Sequence, residues 1–191
     1  NPPDKEVAII NRTFQLMERE DIRGSRLSID SFFRSLSEDQ GEKAVCVILS
    51  GTGTDGTLGL KAIKAAGGLV MVQEEKQAKY DGMPRSAIDT GLADFVLPVE
   101  KMPNELISYV QHPYIGGGTK PPPLVDEFET LVYKIFVLIR GKTGHDFSNY
   151  KQTTLRRRIE RRMAIHQIHK VSGYVQYLQQ KPLEVEALFK D

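Results

Sequence analysis

The run Ala44-Val-Cys-Val-Ile-Leu49 is followed by the loop Gly51-Thr-Gly-Thr-Asp-Gly56 and then by Leu58, Ala62 and Ala65 at helical spacing. No other feature constrains the fold as much. A short unbroken apolar run reads as a strand buried on both faces, and the glycines read as a tight turn into an amphipathic helix. Gly67-Gly68 stops that helix. Leu69–Val72 gives the next strand, a short helix runs from near Pro84 to before Gly91, and Asp94–Leu97 gives a third strand. Pro103 opens another helix, to about Val110. This alternation predicts parallel strands joined by right-handed helical crossovers, an α/β fold with a partial doubly wound parallel sheet. Ahead of it, Val7–Ile10 and Thr13–Met17 flank Asn11-Arg12 as an N-terminal hairpin, and Ile29, Phe32, Phe33 and Leu36 share one helical face. Three parallel strands make a thin sheet, and the chain opens Asn-Pro-Pro with no initiator Met or leader. The expectation is a piece of a longer protein. Completion of the sheet by a second copy, a homodimer, stays open.

Gly116-Gly-Gly-Thr-Lys-Pro-Pro-Pro123 continues neither helix nor strand, so the expected domains are 1–115 and 124–191 with a linker at 116–123. The second half has no strand signal. Leu124–Arg140 (Phe128, Leu131, Val132, Ile135, Phe136, Ile139), Ser148–Ile165 (Leu155, Ile159, Met163), Val171–Gln179 and Leu183–Lys190 predict a small all-α helical bundle. Residues 1–118 carry a net charge of −4 and residues 119–191 a net +5, which points the second half toward an acidic partner. The lone cysteine, Cys46, lies inside the apolar run and reads as a small buried hydrophobe, suited to a reducing cytoplasm. The longest apolar stretch, Ile135–Ile139, is far below the ~20 residues of a membrane span, so no direct membrane insertion is expected.

Gly51-Thr52-Gly53-Thr54-Asp55-Gly56 has the spacing of a dinucleotide-binding loop, and Glu74 or Glu75 supplies the later acid. The charge argues against that reading. Asp55 stands where a pyrophosphate would lie, and like charges ~4 Å apart cost about 4 kcal/mol at an effective dielectric near 20. A second reading makes Asp55 a carboxylate at a strand's C-terminal end that orients a histidine and stabilises its imidazolium, as in a Ser-His-Asp triad. A third makes it only a helix cap. Spacing alone leaves all three open. Gly82-Met83-Pro84 reads as a turn into a helix.

In the second half, Arg157 and Arg161 are four apart, as are Arg158 and Arg162, with Leu155, Ile159 and Met163 turned to the core. Five arginines against one nearby acid, Glu160, predict a broad, largely unpaired outer face. Such a face is a solvated surface, a phosphate binder or a protein-docking surface. The chain shows no aromatic interleaving and no nucleic-acid motif, so no nucleic-acid partner is expected. His166 and His169 are three apart without a third ligand, which gives no metal site and a structural role for both.

The stretch Val47-Ile-Leu-Ser-Gly-Thr-Gly-Thr-Asp-Gly-Thr-Leu-Gly-Leu-Lys-Ala-Ile-Lys-Ala-Ala-Gly-Gly68 resembles the bacterial chemotaxis-receptor methylesterases, the CheB-type family. Pro2-Pro-Asp-Lys5, Ser28-Ile-Asp-Ser-Phe-Phe-Arg-Ser-Leu36, Tyr80-Asp-Gly-Met-Pro-Arg-Ser-Ala87 and Asp94-Phe-Val-Leu-Pro98 are similar in the same order. The resemblance implies hydrolysis of glutamyl methyl esters by a Ser-His-Asp triad in which Asp55 is the acid. Gly51, Thr52, Gly53, Gly56 and Met83 then form the active-site loop and wall. The family's nucleophilic Ser and its His are not in this chain, and Ser50 matches no nucleophile motif, so the chain alone is expected to be inactive. Thr52 stands where family members commonly have Met. Thr143-Gly-His-Asp-Phe-Ser-Asn-Tyr-Lys-Gln-Thr-Thr-Leu-Arg-Arg-Arg-Ile-Glu-Arg-Arg-Met163, with Tyr174–Leu178 and Glu186–Phe189, resembles the N-terminal helical domain of CheR-type receptor methyltransferases. That second resemblance implies that Arg157, Arg158, Arg161 and Arg162 meet the cytoplasmic helical region of chemoreceptors. It also implies S-adenosylmethionine as cofactor of a methyltransferase domain outside this chain. No cofactor is expected within residues 1–191.

Overall fold

The computed structural model describes residues 5–18, 27–116, 125–147 and 150–191, the first four of residues 125–147 by backbone only. Most of the expected 116–123 linker, the Pro2-Pro3-Asp4 segment and the expected helix start at Ser148 lie outside the described residues. The chain packs as two units, Asn1–Met102 and Pro103–Asp191.

The first unit opens with the hairpin, β1 (Lys5–Ile10) antiparallel to β2 (Thr13–Glu18), with Val7 opposite Leu16 and Ile9 opposite Phe14. Asn11 and Arg12 both have positive φ, as a two-residue hairpin turn requires. Helix α1 (Ser28–Gln40) carries the hairpin: Ser35 Oγ accepts the Ile9 N–H at 3.1 Å, and Ser31 Oγ donates to Glu6 at 3.0 Å.

Strands β3 (Val45–Ile48), β4 (Leu69–Gln73) and β5 (Phe95–Leu97) form a parallel sheet in the order β3-β4-β5, with Val45 opposite Leu69 and Met71 opposite Phe95. Helix α2 (Thr57–Ala65) joins β3 to β4, and α3 (Gly82–Asp89) joins β4 to β5. Cys46, Ile48, Val70 and Val72 pack with Leu60, Ile63 and Ala87, with Phe33, Leu36 and Met83 around them. This burial pushes the Cys46 thiol up to about 12, with Asp94 adding to it. The thiol is therefore inert.

Two sequence expectations change here. β3 is not buried on both faces: Val47 is 39% exposed, and Leu49 just beyond the strand 44%, while Cys46 and Ile48 are covered. Helix α2 turns Leu60 and Ile63 inward, leaving Leu58 and Ala65 exposed. Both stripes have helical spacing, Leu58, Ala62 and Ala65 on one side and Leu60 and Ile63 on the other, and spacing alone does not say which one is covered. At its end Lys64 reaches Asp94 at 2.7 Å with both side chains buried, and the other Asp94 oxygen accepts the Val70 N–H at 2.9 Å. One carboxylate thus ties α2 to the sheet.

Helix α4 (Met102–Gln111), expected to close the α/β half, begins at the last residue of the first unit and otherwise falls in the second. The residues after it explain why. The His112 ring stacks on His169 at 4.7 Å, and the Tyr114 hydroxyl donates to the His169 carbonyl at 3.4 Å. Helices α5 (Val125–Thr143), α6 (Gln152–Ile165), α7 (Val171–Gln180) and α8 (Pro182–Lys190) then enclose Ile135, Ile139, Ile159, Met163, Tyr174 and Leu178. The expected core positions Leu155, Ile159 and Met163 are all buried. Among the described residues no helix is long and apolar enough to cross a membrane.

Candidate active site

The Gly-rich loop leaves the C-terminal end of β3, where ligand sites of parallel sheets are built. Its backbone is laced to the segment entering α3. Gly51 N–H donates to the Tyr80 carbonyl and Met83 N–H to the Gly51 carbonyl, both at 2.9 Å. Ser50 Oγ accepts the Tyr80 N–H at 2.9 Å, and Ser50 N–H donates to the Gln73 side chain at 2.7 Å. A Cβ on Gly51 would collide with the Met83 sulfur, and one on Gly82 would sit 3.0 Å from the Gly53 nitrogen. Gly53 and Gly56 have φ of +85° and +96°. The glycines therefore serve close approach of the protein to itself. With Gly51 N–H given to Tyr80 and Gly59 N–H to a carboxylate, a pyrophosphate finds these amides already engaged. The structure does not favour the dinucleotide reading. Ser50 likewise has its hydroxyl engaged as an acceptor, in keeping with a structural role.

Asp55 is half-buried at the end of this loop. Its Oδ2 accepts the Ile29 N–H at 3.1 Å and its Oδ1 accepts the Asp30 N–H at 3.0 Å. A cap on the following helix, α2, was one expectation. Instead the cap position of α2 is Gly56, which has no side chain, and Asp55 caps the distant helix α1, whose own cap residue Leu27 offers no side-chain bond. Two backbone donors at the start of α1 fix the carboxylate plane. Each oxygen keeps a lone pair, so the group can still accept an imidazole N–H. No histidine occurs in Asn1–Met102.

The expected arginine face is the larger correction. Arg157 is exposed and Arg158 half-buried, but Arg161 and Arg162 are 5% and 6% exposed. Arg162 lies three residues after Ile159 and seven after Leu155, so it shares their inward face, and α8 covers it. Its guanidinium grips Glu184 with two nitrogens, Nε to Oε1 at 2.8 Å and Nη2 to Oε2. Tyr174 donates to Glu184 Oε1 at 2.8 Å, and His166 Nε2 lies 2.7 Å from Oε2. Burial alone would raise the Glu184 carboxyl, but hydrogen bonds from His166 and Arg162 outweigh it and hold the group at about 2. Arg161 Nη1 pairs with Asp191 at 2.7 Å, and Arg156 with Glu160 at 2.9 Å. The partners lie on the same helix or about 20 to 30 residues downstream, so counting nearby acids overstated the unpaired charge.

The model of the CheB methylesterase family matches residues 1–106. The chain belongs to that family. The model of the all-alpha domain of CheR methyltransferases matches residues 132–191, so a CheB-type segment and a CheR-type segment are fused in one chain. A 104.1 kDa uncharacterized protein of Rhodobacter capsulatus is 33% identical over 210 residues, covering 100% of this chain and 22% of that protein. A putative protein-glutamate methylesterase/protein-glutamine glutaminase of Leptospira interrogans is 42% identical over 102 residues, 53% of each chain. The crystal structure of the Thermotoga maritima CheB methylesterase catalytic domain superposes with a TM-score of 0.51 at 34% identity, over 56% of this chain and 58% of that one. The chain thus spans from about a fifth to about half of the relatives it matches.

Within the CheB-type segment Gly51 bonds to and packs against Met83, Gly53, Asp55 and Gly56 follow on the same loop, and Thr52 is exposed. Sequence reasoning missed Asp30, which is 3% exposed beside Asp55. The available signal was an acid on the Ile29/Phe33 stripe of an amphipathic helix. In the CheR-type segment His166 is a structural partner of Glu184, and His169 stacks on His112.

That stack gives a pH prediction. Burial, then the neighbouring His169, lower the His112 pKa below the ordinary histidine value of 6.5. Folding therefore favours neutral His112. Its contribution is intact above the unfolded value and is lost as pH falls through it. Melting temperature is expected to fall between pH 7.5 and 5, and a His112→Phe variant to show a shallower fall. An equal slope in both would exclude His112 as the source.

Proposed function

We propose that this chain is part of a bifunctional chemotaxis protein whose CheB-type segment hydrolyses glutamyl methyl esters on chemoreceptors and whose CheR-type segment docks a receptor for methylation. The observation that carries the first half is the Asp55 carboxylate, held in one orientation by Ile29 and Asp30 N–H at the C-terminal end of β3. A carboxylate so fixed sets an imidazole's tautomer and stabilises the imidazolium formed when a serine attacks the ester carbonyl. The serine and histidine of this triad come from residues of the parent protein other than 1–191. The glutaminase activity in the relatives' names is the same transfer of a γ-acyl group to water, from an amide instead of an ester.

For the second half, the reach of Arg157 and Arg158 to solvent and the net +5 of residues 119–191 suit an acidic helical receptor surface. Arg161 and Arg162 support that surface from within. S-adenosylmethionine belongs, on this reading, to a methyltransferase domain of the parent protein other than residues 1–191.

The full-length protein, given a methylated receptor cytoplasmic fragment, is expected to release methanol; no release would overturn the esterase reading. An Arg158→Glu variant should bind the same fragment about 10-fold more weakly, or ~1.4 kcal/mol, in a salt-dependent way. Unchanged affinity would remove α6 from the docking surface.

A further inference from the structure

We infer that Asp30 is the positioning residue for the Asp55 carboxylate, through a clamp in which the first turns of α1 and α2 cap each other. The inference rests on the triad reading of Asp55. The clamp has two halves. Asp55, two residues before α2, accepts the Ile29 and Asp30 N–H groups of α1 at 3.1 and 3.0 Å. Asp30, in the first turn of α1, accepts the Gly59 N–H of α2 at 2.6 Å. Each helix lacks a side-chain cap of its own and takes one from the other.

Asp30 belongs to both halves. Its N–H holds Asp55 and its carboxylate holds Gly59, so the bonds close a ring: Asp55 to Asp30, Asp30 to Gly59, and Gly59 back through the start of α2 to Asp55. The helices can approach this closely only because residue 59 is glycine. A Cβ there would lie 2.6 Å from Phe33 Cβ and 3.0 Å from Asp30 Cα. Asp30 is buried, so water cannot replace its bond to Gly59. Opening the ring frees a loop whose turns rest on Gly53 and Gly56, both at positive φ. Asp55 then samples orientations in which it no longer faces an imidazole squarely.

The test uses the full-length protein and a methylated receptor fragment. Asp30→Ala is expected to lower kcat by about 10-fold or more at unchanged KM, since small misplacements near reacting groups carry such costs. It should also move the acid limb of the kcat/KM profile to lower pH. A displaced Asp55 raises the pKa of the imidazole less. Loss of folded protein alone would scale the whole profile and leave its midpoint in place. Asp30→Asn keeps an oxygen for Gly59 and should show the same shift to a smaller degree; it decides the matter if the alanine variant does not fold. Unmoved midpoints and kcat within twofold of wild type in the folded variants would overturn the inference. Asp55→Asn separates the two levels. If it abolishes turnover while the Asp30 variants behave as wild type, the clamp alone fails. If it turns over normally, the triad reading fails and the clamp's role with it.

Discussion

Glu184→Ala is expected to destabilise the helical unit by about 3–5 kcal/mol, a large share of the roughly 5–15 kcal/mol that holds a domain folded. Three donors converge on this carboxylate: the Arg162 guanidinium, the Tyr174 hydroxyl and His166 Nε2. Arg162 is 6% exposed and Tyr174 fully buried, so neither finds water when the carboxylate is gone. The alanine variant takes the bidentate carboxylate away from a buried cation, and that penalty exceeds the modest net value of the intact pair. Glu184→Gln keeps acceptor oxygen but removes the charge and should fall between the two. Replacing both partners, Arg162→Met with Glu184→Leu, should recover most of the loss. Urea unfolding followed by circular dichroism at 222 nm measures all three, and equal stability of Glu184→Ala and wild type would disprove the network's role. The same group sets an acid limit. Its folded value of about 2 lies below the ordinary 4.5, so its contribution is complete above about pH 4.5 and fades as pH falls toward 2. The shift corresponds to about 3 kcal/mol at most. Glu184→Gln should lack that part of the acid transition.

The sequence made these elements legible to different degrees, and the reasons are physical. Local patterns set local structure. The apolar run, the glycines and the following helix gave β3, the loop and α2 in order, and the four-residue spacing of Leu155, Ile159 and Met163 gave the buried stripe of α6. Periodicity identifies a helix face but not what covers it. Arg161 and Arg162 looked like surface charge because their acids, Asp191 and Glu184, are 30 and 22 residues away on or after α8. Asp55 is the same case in the other half, since it caps α1 across 25 and 26 residues of sequence. The Gly-x-Gly-x-x-Gly spacing was ambiguous for a further reason. Glycine permits close approach without naming the approaching group, and here that group is the Tyr80–Met83 segment rather than a phosphate.

Asp55→Asn in the full-length protein is expected to lower methylesterase kcat by about 10⁴-fold, the scale of the same change in a Ser-His-Asp triad. Two effects combine. An aspartate accepts at both oxygens, and Asp55 uses them for Ile29 and Asp30 while a lone pair on each remains. An asparagine accepts at one atom only. If its oxygen keeps one of the α1 amides, its NH2 faces the other amide, donor against donor, and that end of the side chain must turn away. The cap loses one bond, which costs about 0.5–2 kcal/mol of stability. The chemistry loses more. An NH2 directed at imidazole favours the tautomer in which the nitrogen facing it is unprotonated, so the opposite nitrogen carries the proton and cannot take one from serine. The neutral side chain also cannot stabilise the imidazolium. The stability term and the rate term separate by measurement: melting temperature reads the first, and kcat on folded protein reads the second. A variant that loses only the modest stability increment and keeps its turnover would leave Asp55 a structural cap. A folded variant with kcat down about 10⁴-fold would show the carboxylate serving both helix α1 and the reaction, since the bonds that fix it to Ile29 and Asp30 also determine which way its remaining lone pairs face.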